Sequence, residues 1–110
     1  MQLLESDFYG GGGGANYFEF SQNSNLSLVA VRGKAGACLD SIQFLFVDTT
    51  NGQYVESPRF GGLGGNEFMY QAPPGQWITK VWFNVGGVIN GVKFGTKQGE
   101  VSDHYGGGGN

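Results

Sequence analysis

An aromatic residue followed by a run of glycines occurs three times in this chain, and the spacing of the copies constrains the fold more than any other feature. Phe8-Tyr9-Gly10-Gly11-Gly12-Gly13-Gly14 returns as Arg59-Phe60-Gly61-Gly62-Leu63-Gly64-Gly65, and again as His104-Tyr105-Gly106-Gly107-Gly108-Gly109-Asn110. Counted on the aromatics at 9, 60 and 105, the copies lie 51 and 45 residues apart, a period typical of architectures built from repeated supersecondary units. The chain reads as an extension (1–7), a first unit (8–58), a second unit (59–103) and the opening of a third (104–110). Ser6-Asp7-Phe8-Tyr9-Gly10 is echoed by Ser102-Asp103-His104-Tyr105-Gly106, so the end of the sequence is a near copy of its beginning.

Between the glycine runs the dominant period is two. Leu26, Leu28 and Ala30 alternate with Ser27, Val29 and Val31; Ile42, Phe44 and Phe46 alternate with Ser41, Gln43 and Leu45; Trp77, Thr79, Val81, Phe83 and Val85 form a third series, and Val92 and Phe94 a shorter one. Successive side chains of a strand point to opposite faces, so each run offers an apolar face to a core. Asn51-Gly52 suits a tight hairpin and Pro73-Pro74-Gly75 another turn. Helical periodicity is nearly absent. The 110 residues suffice for one domain. At 39% apolar and 15% aromatic residues they can build a core despite 22 glycines. The expected class is all-β, built from short antiparallel strands.

Charge and residue usage narrow the function. The net charge is −3 and the six Lys and Arg residues are scattered singly. Binding to phosphate backbones draws on clustered cations, so nucleic acid and anionic membrane surfaces are poor partners. No window approaches the roughly 18 apolar residues of a membrane-crossing helix, and residues 1–8 lack the basic and long apolar regions of a signal peptide. Cys38 is the only cysteine, which excludes an intrachain disulfide and a thiolate metal cluster; it reads as an inert, partly buried thiol. Asp7, Asp48 and Asp103 show no calcium-loop spacing, and His104 reads as an exposed loop residue rather than a base. No Gly-Lys-Ser or Gly-Lys-Thr follows a glycine run, so phosphate cradling is not indicated. No metal, cofactor or catalytic group is expected.

A second motif recurs inside the units: a glycine, three residues, a small polar residue, then an alternating strand. Gly36-Ala37-Cys38-Leu39-Asp40 leads into Ser41-Ile42-Gln43-Phe44, Gly75-Gln76-Trp77-Ile78-Thr79 into Lys80-Val81-Trp82, and Gly86-Gly87-Val88-Ile89-Asn90 into Gly91-Val92-Lys93-Phe94. With the aromatic-glycine loops, the Gly-x-x-x-Asp-Ser-Ile-Gln run and the Ile-Asn-Gly-Val-Lys-Phe-Gly-Thr-Lys run, the chain resembles the jacalin-related lectins from about residue 8 onward. The resemblance implies a β-prism I fold, antiparallel Greek-key sheets in a pseudo-threefold repeat. Here the third sheet is incomplete, or is completed by a partner chain through strand exchange or edge pairing, which would make the protein a homo-oligomer. It also implies a metal-independent sugar site, with Gly36, Ala37, Cys38, Leu39 and Asp40 on one side and Gly61 and Gly62 on the other. Gly86, Asn90, Gly106 and Gly107 would form a degenerate second site. Mannose- or glucose-type ligands are implied over galactose, because residues 1–7 precede the first glycine run where galactose-preferring relatives use a processed N-terminal glycine.

The chemistry suits a hexose, whose adjacent hydroxyls each donate and accept. An ionised aspartate is acceptor-only and can serve two of them, through charge-assisted bonds about twice as strong as neutral ones. The backbone N–H groups around Cys38 and Leu39 would donate to ring and exocyclic oxygens. Glycine at 61 and 62 lets a second backbone approach without a Cβ clash, and an aromatic flank would cover the C–H face of the ring. Asn90 keeps an oxygen acceptor but loses the charge. The competing reading of Asp40, a turn cap before a strand, is outweighed by the repeat; a lectin fold reused as an assembly subunit without sugar binding is the alternative function. Circular dichroism is expected to show strand with less than about a fifth helix, against a usual globular content near a third; a larger helical signal would end the all-β reading.

Overall fold

The computed structural model describes residues 15–19 and 25–107; the extension (1–7), the first glycine run (8–14) and residues 108–110 lie outside them. Nine strands and no helix occur among the described residues. In chain order they are β1 (Ala15–Glu19), β2 (Leu26–Ala35), β3 (Leu39–Asp48), β4 (Tyr54–Glu56), β5 (Phe60–Gly61), β6 (Asn66–Gln71), β7 (Ile78–Val85), β8 (Ile89–Thr96) and β9 (Tyr105–Gly106). Every pairing is antiparallel. One sheet runs β4-β3-β2-β6 with β5 also on β3, and the other runs β1-β7-β8-β9.

The sequence repeat is a structural repeat. In the first unit β2, β3 and β4 follow one another as antiparallel neighbours, and β6 returns beside β2, a Greek key. In the second, β7 and β8 form the same hairpin, a bridge from Gly95 to Val101 stands where β4 pairs, and β9 lies on β8 as β5 lies on β3. Residues 26–46 match 76–96 at an offset of 50, as Gly36 and Gly86 mark, whereas Ser57 and Ser102 are 45 apart. The lost five residues come from the hairpin ends. Asp48 to Gln53 is closed by Asp48 N–H donating to Gln53 C=O at 2.8 Å, and Thr96 to Glu100 is closed by Thr96 N–H donating to Glu100 C=O at 2.9 Å. The Asp48 carboxylate also accepts from the Thr50 hydroxyl at 2.6 Å and the Thr50 N–H at 2.9 Å, which lowers its pKa.

The strand that completes each sheet comes from the other unit. β6, the second strand of the second unit, pairs with β2, with Lys34 opposite Glu67. β1, from the first unit, pairs with β7, with Asn84 opposite Ala15. The two strands fill the same place beside their hairpins, since Lys34 and Asn84 are the same position of the repeat, but their partners Glu67 and Ala15 are 52 residues apart against 51 for the aromatic-glycine runs, so the registers differ by one residue. The edge beside β7 is thus filled within the chain, and the described residues form two sheets and no third.

The core lies between the two sheets. Leu28, Val31, Phe44 and Phe46 from one face Ile78, Val81, Val92 and Phe94 from the other, with Ala72 between. Four register breaks interrupt simple alternation: two lie at the hairpin tips, between Lys34 and Ala35 and between Asn84 and Val85, and two near the strand starts. β2 slips between Leu28 and Ala30, and β7 between Ile78 and Lys80, so Val29 and Thr79 are bulge residues at equivalent positions. A bulge adds one residue and swaps the faces to which all later residues of the strand point. The cluster shared by the two sheets therefore takes Leu28 then Val31, and Ile78 then Val81, and Ala30 is buried outside it. One further expectation is corrected. Gly75 to Thr79 is not a copy of the second motif: Gly75 has φ +79° in a turn closed by Gln76 N–H donating to Pro73 C=O at 3.0 Å, and Ile78 already belongs to β7. Tyr54 of β4 is 68% exposed.

Aromatic rings join the sheets: Tyr70 of β6 stacks on Phe94 at 6.2 Å and Phe68 on Tyr105 at 4.6 Å. Phe94 is fully buried at the centre of this group. Phe94→Ala is expected to destabilise the fold by about 3–5 kcal/mol, the usual result of emptying a buried aromatic site; urea unfolding checks it, and a loss below about 1 kcal/mol would contradict a single core shared by both sheets.

Candidate functional site

Loop 36–40 is the tip of the β2–β3 hairpin. Gly36 N–H donates to Cys38 C=O at 2.9 Å, a tight closure that leaves Gly36 and Ala37 exposed and Cys38 half-buried. Leu39 and Asp40 are the first residues of β3, and the Leu39 side chain packs against the core. That contact anchors the strand beside Asp40. Leu39 is thus part packing residue, not solely a loop member.

The glycine loop is fastened to the same strand. Gly61 stands opposite Ser41, and Gly62 N–H donates to Asp40 C=O at 2.8 Å. Gly61 has φ +112°, and a Cβ there would collide with the Asp40 carbonyl oxygen. Only glycine meets both demands. The Asp40 carboxylate lies farther along the loop: a Cβ on Gly64 would sit 3.4 Å from Oδ1, and one on Gly65, at φ +84°, would strike Oδ2 and lie 2.9 Å from Ala35 N. The expected residues are therefore brought together, but the groups facing the carboxylate belong to Gly64 and Gly65, not Gly61 and Gly62. Lys34 reaches the loop from β2, its ammonium donating to Leu63 C=O at 3.3 Å. The signal for Gly64 and Gly65 was present as the second glycine pair of the repeat, but nothing in the sequence said which pair meets the acid. Phe60 is exposed and tilted against Phe44 at 6.4 Å, which puts an aromatic ring at the start of this loop.

The β7–β8 hairpin tip and the opening of the third unit repeat the main-chain bonds of this arrangement. Gly86 N–H donates to Val88 C=O at 2.9 Å and Gly107 N–H to Asn90 C=O at 2.9 Å, while Gly106 has φ +106°. Gly86, Asn90, Gly106 and Gly107 are thus assembled as the first set is. Ser57 and Ser102 brace the two loops alike, the hydroxyls accepting from Phe44 N–H at 2.9 Å and Phe94 N–H at 2.8 Å. Two differences stand out. Asn90 replaces the carboxylate with an amide, and His104, exposed as expected, lies over Gly91 with Nε2 2.9 Å from Gly107 C=O. A carbonyl accepts only, so Nε2 carries the proton in this contact. Tyr105, beneath the loop, has its pKa raised by burial and then by Asp103 and Tyr70. Its neutral hydroxyl points to Met69 C=O at 3.5 Å.

Among the described residues no group of three His, Cys, Asp or Glu side chains is placed to hold a metal ion, and no helix is long and apolar enough to cross a membrane. Two hairpin tips ending in Asp or Asn, each clamped by a glycine loop, are the distinctive arrangement. Residues 6–110 match the family model of the jacalin-like lectin domain. The chain belongs to this family. This jacalin-like domain is 29% identical over 105 residues to horcolin of Hordeum vulgare subsp. vulgare, with 91% of the chain and 70% of horcolin covered, and equally to horcolin of Hordeum vulgare. Its fold is similar to the crystal structure of a prostate-specific WGA16 glycoprotein lectin, with a TM-score of 0.59 at 22% identity over 91% of this chain and 68% of that one. The family assignment points to a non-enzymatic carbohydrate-binding protein.

The glycines of the domain are not equivalent, and stability measurements separate them. Gly65→Ala is expected to cost at least about 1–3 kcal/mol, since a left-handed backbone strains a side chain and its Cβ strikes Asp40. Gly62→Ala, with nothing within 4 Å of the added carbon, is expected within about 0.5 kcal/mol of the unaltered protein. Equal melting temperatures for the two variants would contradict this placement of the loop.

Proposed function

We propose that this lectin domain binds mannose- or glucose-type sugars, without a metal ion, at the site formed by loop 36–40 and the glycine loop 61–65. The observation that carries the reading is the Asp40 carboxylate, half-buried and set against Gly64 and Gly65. A carboxylate there accepts from two adjacent hydroxyls of one hexose, and the glycines let the ring approach main chain on its other side. Fixed hydrogen-bonding groups lose little freedom on binding. The half-buried position raises the value of each bond, because water competes less for it.

Asp40→Ala is expected to lower affinity for mannose or glucose by well over tenfold, because hydrogen bonds to a charged group contribute about 1.5–3 kcal/mol each and 1.4 kcal/mol is a factor of ten. Calorimetry with mannose, glucose and galactose checks this, with chelator added to half the samples. Unchanged affinity in the variant would remove the site, a preference for galactose would remove the ligand class, and a loss of binding with chelator would remove metal independence.

A second reading, an assembly subunit, draws on the crossed strands. β1 fills on β7 the place that β6 fills on β2, and a β1 supplied by a second copy would make the same bonds to β7. Closed exchange gives a dimer and open exchange a filament. Light scattering of the full chain, alongside binding to a mannose column, separates the readings: oligomers that ignore sugar favour assembly, and a sugar-binding monomer favours the lectin.

A further inference from the structure

Gly107 touches both loop systems. Its N–H donates to Asn90 C=O at 2.9 Å, its carbonyl faces His104 Nε2 at 2.9 Å, and a Cβ on it would collide with the Ala37 carbonyl and lie 2.9 Å from that carbonyl's carbon. The glycine loop that opens the third unit therefore lies directly against the hairpin tip that carries Asp40. A single residue's backbone separates the Asn90 hairpin tip from the Asp40 one. In the other direction, a Cβ on Gly36 would lie 3.9 Å from Gly65 Cα, so loop 61–65 flanks the same tip on its far side.

From this juxtaposition we propose that the two sites are halves of one continuous surface, and that its ligand is an oligosaccharide of at least two residues that engages Asp40 and Asn90 together. The inference rests on the sugar-binding reading above and adds the size of the ligand and the part played by the second unit. The two ends differ in chemistry. Asp40 is acceptor-only, whereas the Asn90 amide both donates and accepts, so a bound chain has a preferred direction. Apolar contact is available at both ends, because Leu63 on loop 61–65 is 80% exposed and Val88 on loop 86–90 is 59% exposed. Side chains of that size left in water beside polar main chain suit the C–H faces of sugar rings. Asn90 alone is weak, which explains why its replacement of the carboxylate is compatible with use: once one residue is held at Asp40, the next is delivered at high effective concentration and needs little intrinsic affinity.

The test is the ratio of oligosaccharide to monosaccharide affinity, measured by calorimetry on the full chain with mannose, a mannobiose and a mannotriose. The ratio for the unaltered protein is expected to be about tenfold or more, with one oligosaccharide per chain, since two neutral hydrogen bonds at about 0.5–1.5 kcal/mol each reach that factor. Asn90→Ala is expected to bring the ratio to within about twofold of one, and Asn90→Asp to keep it well above that; melting temperatures show that each variant is folded. A ratio near one in the unaltered protein, two independent monosaccharide sites per chain, or an undiminished ratio in Asn90→Ala each overturns the inference while leaving the Asp40 site standing. Absence of binding by every sugar overturns both.

Discussion

The closeness of the glycine loops to the hairpin strands governs the rest of the molecule. A Cβ at Gly106 would lie 2.5 Å from the Asn90 carbonyl oxygen, and one at Gly61 would collide with that of Asp40. Because no side chain intervenes, the next N–H in each loop bonds the carbonyl of the strand's second residue at 2.8 and 2.9 Å. Those two bonds bring the loops onto the hairpin tips, and the serines at 57 and 102 hold the incoming chain to Phe44 and Phe94 one turn earlier. The polar end of the protein is thus a consequence of main-chain contact, with side chains added where glycine leaves room. An aspartate in such a frame is oriented by its neighbours before any ligand arrives.

Crossed strands turn two similar halves into one body. Each unit gives a strand to the other's sheet, so neither can complete its hydrogen-bonded ladder alone. The rings of Phe68 and Tyr70 on β6 then reach Tyr105 and Phe94 of the opposite sheet, and contacts of this kind contribute beyond their buried area. This arrangement also sets how the two hairpin tips meet. With the second unit folded back on the first, Gly107 arrives at Ala37, and the two hairpin tips that the repeat produced as separate copies meet across one glycine.

The outer faces show how little of this depends on charge. Arg32 pairs with Glu56 at 2.9 Å and with Gln43 at 2.8 Å, all exposed or nearly so, where an ion pair contributes no more than about 1 kcal/mol. Lys93 lies 4.9 Å from the Trp82 ring, and that ring covers Gly95 closely enough that a Cβ there would sit 2.8 Å from it. Glycine again permits the approach, this time of an aromatic ring to a strand. Lys34 is the cation with a direct tie to the candidate site, through Leu63.

The sequence by itself determined the all-β class, the repeat, the approximate strand positions, and the residues around Asp40 and Asn90. These are local properties: alternation, turn chemistry, and glycine where backbone must come close to backbone. It did not disclose the bulges at Val29 and Thr79, because an inserted residue looks like any other until its partner strand shows the skipped pair. Nor could it say that Gly64 and Gly65 rather than Gly61 and Gly62 meet the carboxylate, since every glycine in the run is equally permissive. The pairing of β1 on β7 joins residues some 65 apart, which local pattern does not encode. Contacts between distant segments, from β1 on β7 to Gly107 on Ala37, were decided only when the two units closed around a shared core, because segments far apart in sequence meet only once residues such as Phe44, Phe46 and Phe94 are buried together.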